Sequence, residues 1–329
     1  MPKNILVTGG AGYIGSVTTD LLHGRGRHVV VLDSLEMGHK SALRAKIPFY
    51  RGDVADRALL REIFARHQIE GVVHFAGYLF VPESVRDPAK YYTNNTANTL
   101  VLLDEMRLAG IGKFVFSSTS ATYGEPQYLP MDEIHPQNPT TPYGMSKLFV
   151  EKMLQSFDDA YGMKHVALRY FNACGATESL GEDHDPEIHL IPLVLQTAMG
   201  KRTHISIFGT DYPTPDGTCV RDYIHVSDLA EAHLLALDYL DKNGQSQQIN
   251  LGNGSGFSVR QVVEAARKVT GKEIPAREEG RREGDPSTTT ASVEKARTVL
   301  GWEPRYSNIE DIIRTAWIWH SRNPDGYPS

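Results

Sequence analysis

Short apolar runs alternate with longer amphipathic stretches along the first half of the chain. The apolar runs are rich in Val, Ile and Phe without regular polar alternation, and they predict strands covered on both faces: Asn4–Val7, His28–Leu32, Pro48–Arg51, Gly71–Phe75, Lys113–Ser117 and His165–Tyr170. The stretches between them predict helices over Tyr13–His23, Arg57–His67, Lys90–Leu108 and Tyr143–Tyr161. Strands and helices that alternate in this way predict an α/β fold with a doubly wound parallel sheet.

The pattern changes after Phe171. The polar segment Cys174–Pro192 predicts a functional loop, because long loops without secondary structure are rare in compact folds. Beyond it we predict helices over Leu190–Met199, Ser227–Leu240, Ser258–Thr270 and Ile309–Arg322, and strands over His204–Phe208 and Gln248–Leu251. We therefore expect a first domain over residues 1–172, joined by a returning segment near 222–252, and a smaller C-terminal α/β domain over 173–329.

The amino-acid composition excludes several classes of function. The 329 residues include 34 Lys and Arg against 40 Asp and Glu, a net charge of −6, which argues against binding nucleic acid through bulk positive charge. Two cysteines, Cys174 and Cys219, exclude a disulfide scaffold and a four-cysteine zinc site, and they fit a reducing compartment. No apolar stretch reaches the ~18 residues of a membrane helix. We expect a cytoplasmic protein with neither a membrane nor a nucleic-acid partner.

A glycine-rich turn follows the first predicted strand and opens the first predicted helix. Gly9, Gly12 and Gly15 fit a tight turn, backbone approach to a pyrophosphate and close helix–strand contact. The helix N-terminus adds free N–H groups and a positive dipole end. Asp33 ends the second strand at about the ~20-residue spacing expected of a carboxylate that binds the ribose hydroxyls of NAD. Asp53 and Val54, after the third strand, fit beside the adenine.

A proton-transfer pair is predicted further along the chain. Tyr143 and Lys147 are four residues apart and share one face of a predicted helix. An ammonium group one turn away favours the phenolate, so we expect Lys147 to lower the pKa of Tyr143. The strand that ends at Thr119 brings a hydroxyl to the carboxyl edge, where doubly wound sheets bind ligands.

Further motifs extend over the rest of the chain. They are His74-Phe75-Ala76-Gly77, Tyr91-Tyr92-Thr93-Asn94-Asn95, Arg169-Tyr170-Phe171-Asn172, Ile207-Phe208-Gly209, Asp216-Gly217-Thr218, Arg221-Asp222-Tyr223-Ile224-His225-Val226, Arg282-x-Gly284-Asp285 and Pro324-Asp325-Gly326-Tyr327-Pro328. With the glycine turn and Tyr143-x-x-x-Lys147, they resemble the extended short-chain dehydrogenase/reductase family, whose first domain is a Rossmann fold, and within it the UDP-glucose 4-epimerases.

The resemblance implies NAD as cofactor, a UDP-hexose as substrate and a homodimer paired through a bundle of the helices 90–108 and 143–161. Its catalytic residues would be Tyr143 as base, Lys147 on the nicotinamide ribose and Thr119 on the sugar's 4-hydroxyl. The NAD site would comprise Gly9, Gly12, Tyr13, Ile14, Gly15, Asp33, Asp53, Val54, Phe75, Ala76, Gly77, Asn94, Ser117, Tyr143, Lys147 and Tyr170. The substrate site would comprise Thr119, Asn172, His189, Leu190, Ile207, Phe208, Arg221, Arg282, Asp285 and Thr289.

The implied reaction is reversible 4-epimerisation of UDP-glucose and UDP-galactose through a transient 4-ketose. Three alternatives stay open at this point. Epimerisation of UDP-pentoses uses the same chemistry, and a related non-catalytic regulator or RNA-binding protein would have lost the tyrosine and lysine that this chain keeps. A sugar-nucleotide 4,6-dehydratase needs an Asp-Glu pair after the strand-end Thr119, where this chain has Ser120 and Ala121.

Two positions depart from the family pattern. One histidine-containing segment also has to be considered as a metal site. Leu79 stands where many epimerases have a lysine near the NAD phosphates, which predicts weaker retention of NAD. Thr289 stands where the best-known bacterial relatives carry a tyrosine, and the smaller residue predicts that UDP-N-acetylhexosamines are also accepted. The segment with His184 and His189 lacks the helical His-Glu-x-x-His spacing, so we predict no metal ion there.

Overall fold

The protein is described by a computed structural model over residues 3–44, 46–282 and 284–328. Its strands are β1 Asn4–Thr8, β2 His28–Asp33, β3 Phe49–Arg51, β4 Ile69–His74, β5 Lys113–Thr119, β6 Lys164–Tyr170, β7 Asn172–Cys174, β8 Ile205–Phe208, β9 Val220–His225, β10 Gln247–Leu251, β11 Gly256–Ser258, β12 Ala276–Glu279 and β13 Thr288–Thr289. Its helices are α1 Tyr13–Gly24, α2 Arg57–His67, α3 Val81–Arg86, α4 Pro88–Tyr91, α5 Asn98–Leu108, α6 Pro142–Tyr161, α7 Leu190–Ala198, α8 Val226–Asp241, α9 Val259–Thr270 and α10 Ile309–Arg322.

Seven strands form one sheet in the order β10-β6-β5-β4-β1-β2-β3, and every pair in it is parallel. The predicted α/β class and the doubly wound parallel sheet are therefore confirmed. The chain returns from its second half to add β10 beside β6, with Gln247 opposite Val166. All seven carboxyl ends consequently point to one edge, which is where ligands bind in such sheets.

Alternate residues of each strand enter two separate cores. Along β1, Ile5 and Val7 pack on the side of α1 and α8, whereas Leu6 packs on the side of α2, α5 and α6. Both faces of the sheet are covered by apolar side chains, which explains why the strands lack polar alternation. A capping box between Ser258 and Gln261 starts α9 as the sequence predicts.

A second group of strands lies beyond the large sheet. Its centre is β9, which pairs in parallel with β7 and β13 and antiparallel with β11. The strands β8 and β12 form a separate parallel pair. The helices α7, α9 and α10 share one apolar core with residues of this group. The smaller C-terminal α/β part is thus present, and among the described residues no helix is long and apolar enough to cross a membrane.

One predicted helix is divided in the structure, and one central strand was not predicted. The single helix predicted over residues 90–108 is α4, a wider π-helical turn over Tyr92–Ala97, and then α5. Within that turn Asn95 is turned inward, where its side chain binds both backbone groups of Tyr78. Residues 220–225, which were recognised in the sequence only as part of a motif, form the strand β9.

The Asp222 carboxylate ties β9 to two neighbouring segments. It is fully buried and accepts backbone hydrogen bonds from Asn253, Gly254 and Ala291. These bonds satisfy three N–H groups far away in sequence. They hold β9 in register beside β13, and with it the neighbouring side chain of Arg221.

Replacement of Asp222 by alanine should destabilise the fold. An unsatisfied buried polar group costs about 1–3 kcal/mol, so three of them should lower the free energy of unfolding by about 3 kcal/mol or more. Urea denaturation followed by circular dichroism measures this change. Asp325→Ala is the matched control, because the Asp325 side chain is 96% exposed. Equal unfolding midpoints for the two variants would contradict this account of β9.

Candidate active site

The glycine turn between β1 and α1 packs too tightly for side chains. Gly9 has φ +69°, and a Cβ there would lie 2.5 Å from the backbone nitrogen of Ala76. A Cβ on Gly15 would lie 2.1 Å from the carbonyl oxygen of Gly9. The turn therefore brings backbone N–H groups at the start of α1 up to the carboxyl edge of the sheet, which suits an anion.

Asp33, at the end of β2, lies beside this turn. Its Oδ2 accepts from the backbone nitrogen of Ala11 at 2.9 Å, and its Oδ1 accepts from Leu35 at 2.8 Å. Burial raises the pKa of Asp33, and these two backbone bonds act in the opposite direction. Each oxygen keeps a further lone pair, so the carboxylate both orders the turn and offers acceptors toward the neighbouring cleft.

A cleft of about 450 Å³ lies across the carboxyl ends of the large sheet. All sixteen residues predicted for the NAD site line it: Gly9, Gly12, Tyr13, Ile14, Gly15, Asp33, Asp53, Val54, Phe75, Ala76, Gly77, Asn94, Ser117, Tyr143, Lys147 and Tyr170. Thr119, Asn172 and His189 of the predicted substrate site line it as well. The sequence-predicted residues thus come together in one place.

The start of α6 is fixed against the end of β5. The Thr119 hydroxyl makes a hydrogen bond to the Tyr143 phenol. One turn further along α6, the Lys147 Nζ donates to the carbonyl oxygen of Ser117 at 3.1 Å. Both α6 side chains face the cleft and lie at its wall. A phenol, an ammonium group and a hydroxyl are therefore collected at the edge of the sheet.

Burial dominates the electrostatics of the pair. Burial raises the pKa of Tyr143, and the hydrogen bond from Thr119 is what opposes that rise. Burial also lowers the pKa of Lys147 to about 8. The ammonium group of Lys147 is directed at the Ser117 carbonyl, and the expectation that it lowers the pKa of Tyr143 stays a prediction for the site with NAD bound.

A buried ion pair supports α6 from behind. Arg169 on β6 and Glu151 on α6 meet at 2.6 Å between Nη2 and Oε2, and each side chain is only 4% exposed. The Ser118 hydroxyl donates to the same carboxylate at 2.5 Å. Sequence reasoning missed this set, although Arg169 stands in one of the quoted motifs. Removing one partner of such a pair would leave the other charge buried alone.

Most of the predicted substrate residues lie in a second cluster, outside the lining of the cleft. Arg221 Nη2 lies 3.5 Å from Asp285 Oδ1, and Thr289 on β13 is in register with Arg221 on β9. The Arg282 guanidinium lies 3.8 Å from the centre of the Phe208 ring. The predicted residues Ile207, which is buried on β8, and Leu190, the first residue of α7, also lie outside the lining of the cleft.

Asn172 connects the cleft with this second cluster. It lines the cleft, and its side-chain nitrogen donates to the carbonyl oxygen of Asp222 at 2.9 Å. Asp222 directly follows Arg221 in β9. The cluster with the arginines therefore begins where the cleft ends.

The loop between β7 and α7 contributes residues that sequence reasoning did not place. Glu182 and His184 line the cleft, and together with Glu187 and His189 they form a compact group. Burial by itself would lower the pKa of His189, but Glu182 and Glu187 outweigh it and raise the pKa to about 10. Their spacing along the loop follows no helical pattern, so only the folded loop reveals the group.

Comparison with known proteins decides the family. The model of the NAD dependent epimerase/dehydratase family matches residues 5–252. The chain belongs to the NAD dependent epimerase/dehydratase family. A UDP-glucose 4-epimerase of Lacticaseibacillus casei is 54% identical over 325 residues, covering 98% of both chains. This confirms the resemblance that the motifs indicated.

Solved structures of this family share the whole fold. A crystal structure of a UDP-glucose 4-epimerase matches with a TM-score of 0.98 at 50% identity, covering 99% of this chain and 100% of the other. A UDP-glucose 4-epimerase from Brucella ovis, solved in complex with NAD, matches with a TM-score of 0.94 at 48% identity, covering 96% and 97%.

The cleft fits the cofactor of this NAD-dependent family. The glycine turn would hold the pyrophosphate, Asp33 would accept from ribose hydroxyls, and Lys147 would donate to a ribose hydroxyl. Leu79 also lines the cleft, as predicted for a position that lacks the usual lysine. The cleft thus combines a tight glycine turn, a carboxylate and an ammonium group, which suit the pyrophosphate and ribose parts of NAD.

Replacement of Gly15 by alanine should damage this NAD site. The new methyl group meets backbone rather than a movable side chain, and overpacking of this kind costs about 1–3 kcal/mol. We expect a lower melting temperature and at least about tenfold less NAD in the purified protein, measured by chromatography after acid release. Gly24→Ala in the same helix has no atom within 4 Å of its Cβ and should match the wild type. Equal NAD content in both variants would contradict the assignment of the glycine turn.

Proposed function

We propose that this chain interconverts UDP-glucose and UDP-galactose by epimerisation at C4. The observation that carries the proposal is the Tyr143 phenol, held by Thr119 at the edge of the NAD cleft one helical turn from Lys147. The names of the full-length relatives agree with it. The chain keeps every side chain that the reaction needs for proton transfer.

Tyr143 would remove the proton from the sugar's 4-hydroxyl, and Thr119 would orient that hydroxyl. When bound, NAD supplies the hydride acceptor and donor for C4. Because burial raises the pKa of Tyr143, the phenol needs positive charge in the loaded site to act as a base at neutral pH. Lys147 would hold the nicotinamide ribose from its place beside Ser117.

The two clusters would divide the substrate between them. Arg221 and Arg282 carry the planar donors that suit a diphosphate, and they lie outside the cleft where Tyr143 is found. Strong contacts to the UDP portion and few contacts to the hexose would let the 4-ketose rotate and present its other face to the nicotinamide. Binding energy spent on the sugar would oppose that rotation.

Elimination of water is disfavoured at this site. A 4,6-dehydratase needs a carboxylic acid and a carboxylate after the strand-end threonine, whereas Ser120 and Ala121 line the cleft there. Neither side chain can protonate a leaving hydroxyl. We therefore infer epimerisation rather than dehydration.

We also infer a homodimer and a cytoplasmic location. The helices α5 and α6 carry exposed apolar side chains, among them Leu100 and Phe149, each 44% exposed. This face suits pairing with a second copy of the chain. Both cysteines, Cys174 and Cys219, are buried and free, which suits a reducing compartment.

Tyr143→Phe tests the catalytic proposal. Loss of a positioned general base typically costs about 10²–10⁴-fold in rate, so turnover of UDP-galactose to UDP-glucose should fall by that factor. Bound NAD should stay at the wild-type level, because the ring is kept. A coupled assay for UDP-glucose and an NAD determination on the same sample measure both quantities.

The control is Tyr161→Phe at the far end of α6, where the side chain is 58% exposed. It should retain wild-type turnover. Near-normal turnover of Tyr143→Phe with full NAD content would overturn the proposed role of Tyr143.

We propose that UDP-N-acetylhexosamines are also substrates. Thr289 lies beside Arg221 in the β9–β13 pair and is half-buried. A threonine leaves more room there than the tyrosine of bacterial relatives, and the added space would admit an acetamido group on the sugar's C2.

Thr289→Tyr should separate the two substrate classes. We expect the ratio of turnover on UDP-N-acetylglucosamine to turnover on UDP-glucose to fall at least about tenfold, the scale set by pocket-size discrimination. Parallel incubations with both substrates and chromatographic separation of the products measure the ratio. Thr288→Tyr on the same short strand is the control. An unchanged ratio, or failure of the wild type on the acetylated substrate, would remove this part of the proposal.

A further inference from the structure

Four side chains of the loop between β7 and α7 surround one point. Glu182, His184, Glu187 and His189 each offer one nitrogen or oxygen atom, and these four atoms lie within 4.8 Å of one another. The group therefore combines two imidazoles and two carboxylates. The proposed epimerisation gives no task to three of them.

The distances between these atoms range from 2.7 to 3.9 Å, on both sides of the spacing in a coordination sphere. His189 Nδ1 lies 2.7 Å from Glu182 Oε1 and 3.0 Å from Glu187 Oε1. His184 Nδ1 lies 3.2 Å from Glu182 Oε1 and 3.9 Å from Glu187 Oε2. A tetrahedral zinc ion with bonds of about 2.0–2.2 Å keeps its ligand atoms roughly 3.3–3.6 Å apart. Small side-chain movements would therefore suffice.

His184 gives an independent indication. Its side chain is only 8% exposed, and its buried Nδ1 makes no hydrogen bond of good geometry, although Glu182 Oε1 is close by. The atom nevertheless faces the two carboxylates at 3.2 and 3.9 Å. Buried polar atoms almost always have partners, so this nitrogen lacks a group that a cation between the four side chains would supply.

Glu187 is already oriented as a ligand. Its Oε1 accepts from the backbone nitrogens of Ile188 at 2.7 Å and His189 at 2.8 Å. These bonds fix the carboxylate while Oε2 faces His184. Metal-binding carboxylates are commonly held by hydrogen bonds of this kind.

The surroundings of the group would allow an ion to enter, and an ion bound there would stabilise the loop. A second cavity of about 210 Å³ is lined by Glu182, His184 and Glu187 and provides a path to the site. On the other side, Glu182 and His184 line the NAD cleft. The C-terminal Tyr327 already binds this loop through Asp183. An ion held here would fix the wall of the cleft.

We propose that Glu182, His184, Glu187 and His189 bind one Zn²⁺ ion that holds this loop in place. Two nitrogen and two oxygen donors suit Zn²⁺, whereas Mg²⁺ and Ca²⁺ prefer oxygen ligands throughout. The inference goes beyond the proposed epimerisation, which gives a role to His189 alone among these four residues. It also replaces the expectation of no metal, which relied on helical spacing that a folded loop does not need.

Metal titration of the tag-free full-length protein tests the site. The protein is treated with a chelator, returned to metal-free buffer and titrated with Zn²⁺ against a chromophoric competitor. The wild type should bind one Zn²⁺ per chain and gain thermal stability, while Mg²⁺ and Ca²⁺ in excess should not displace it. Glu187→Gln keeps the acceptor for the two backbone nitrogens and removes the carboxylate charge. It should weaken Zn²⁺ binding at least about tenfold, since even outer partners of metal ligands change affinity by about 10–100-fold.

Asp185→Asn is the matched control, because it makes the same charge change at an exposed position of the same loop. It should bind Zn²⁺ like the wild type. Equal affinities for wild type and Glu187→Gln, or no stoichiometric binding by the wild type, would overturn the proposal and leave a charged His189 to balance the two carboxylates alone. Circular dichroism of the metal-free variants checks that both remain folded.

Discussion

The attachment of α6 to the end of β5 is the constraint on which the site depends. Three α6 side chains one turn apart bind three consecutive residues of the strand: Tyr143 contacts Thr119, Lys147 contacts Ser117, and Glu151 contacts Ser118. A helix has 3.6 residues per turn, so positions four apart stay on one face. A slip of one residue in either element would break all three contacts, and the phenol would leave the cleft.

The buried Arg169–Glu151 pair favours this one position of α6 over other placements of the helix. A buried ion pair adds little net stability, because both charges lose water. It does penalise arrangements that separate the partners, since each would leave an unpaired charge in the interior. Arg169 lies on β6, next to β5, and it also donates to the Tyr123 hydroxyl at 2.9 Å. The pair thus fixes α6 relative to two strands, which a purely apolar contact would do less strictly.

Local patterns predicted most of the large sheet and the glycine turn, because those features depend on residues that are neighbours in sequence. The helix α2 begins and ends where its periodicity places it. The π-helical turn before α5 was not predicted, since it forms where Asn95 binds the distant backbone of Tyr78. The bond made by Lys147 was not predicted for a similar reason: spacing places Lys147 one turn from Tyr143, but only the fold shows that its Nζ donates to the Ser117 carbonyl.

The separation between the two clusters follows from the order of the strands. Tyr143 belongs to the large sheet through β5, whereas Arg221 belongs to the second group through β9, and Asn172 bonds to the Asp222 backbone where the two meet. A nucleotide sugar bound as proposed would be held at its charged end by one group of strands and would meet its reacting groups at the other. Its hexose end would then have freedom that the diphosphate end lacks. Epimerisation must present both faces of one carbon to the same hydride source, so the sugar has to rotate while the diphosphate stays bound. The order of the strands separates the two binding regions in the way that this rotation requires.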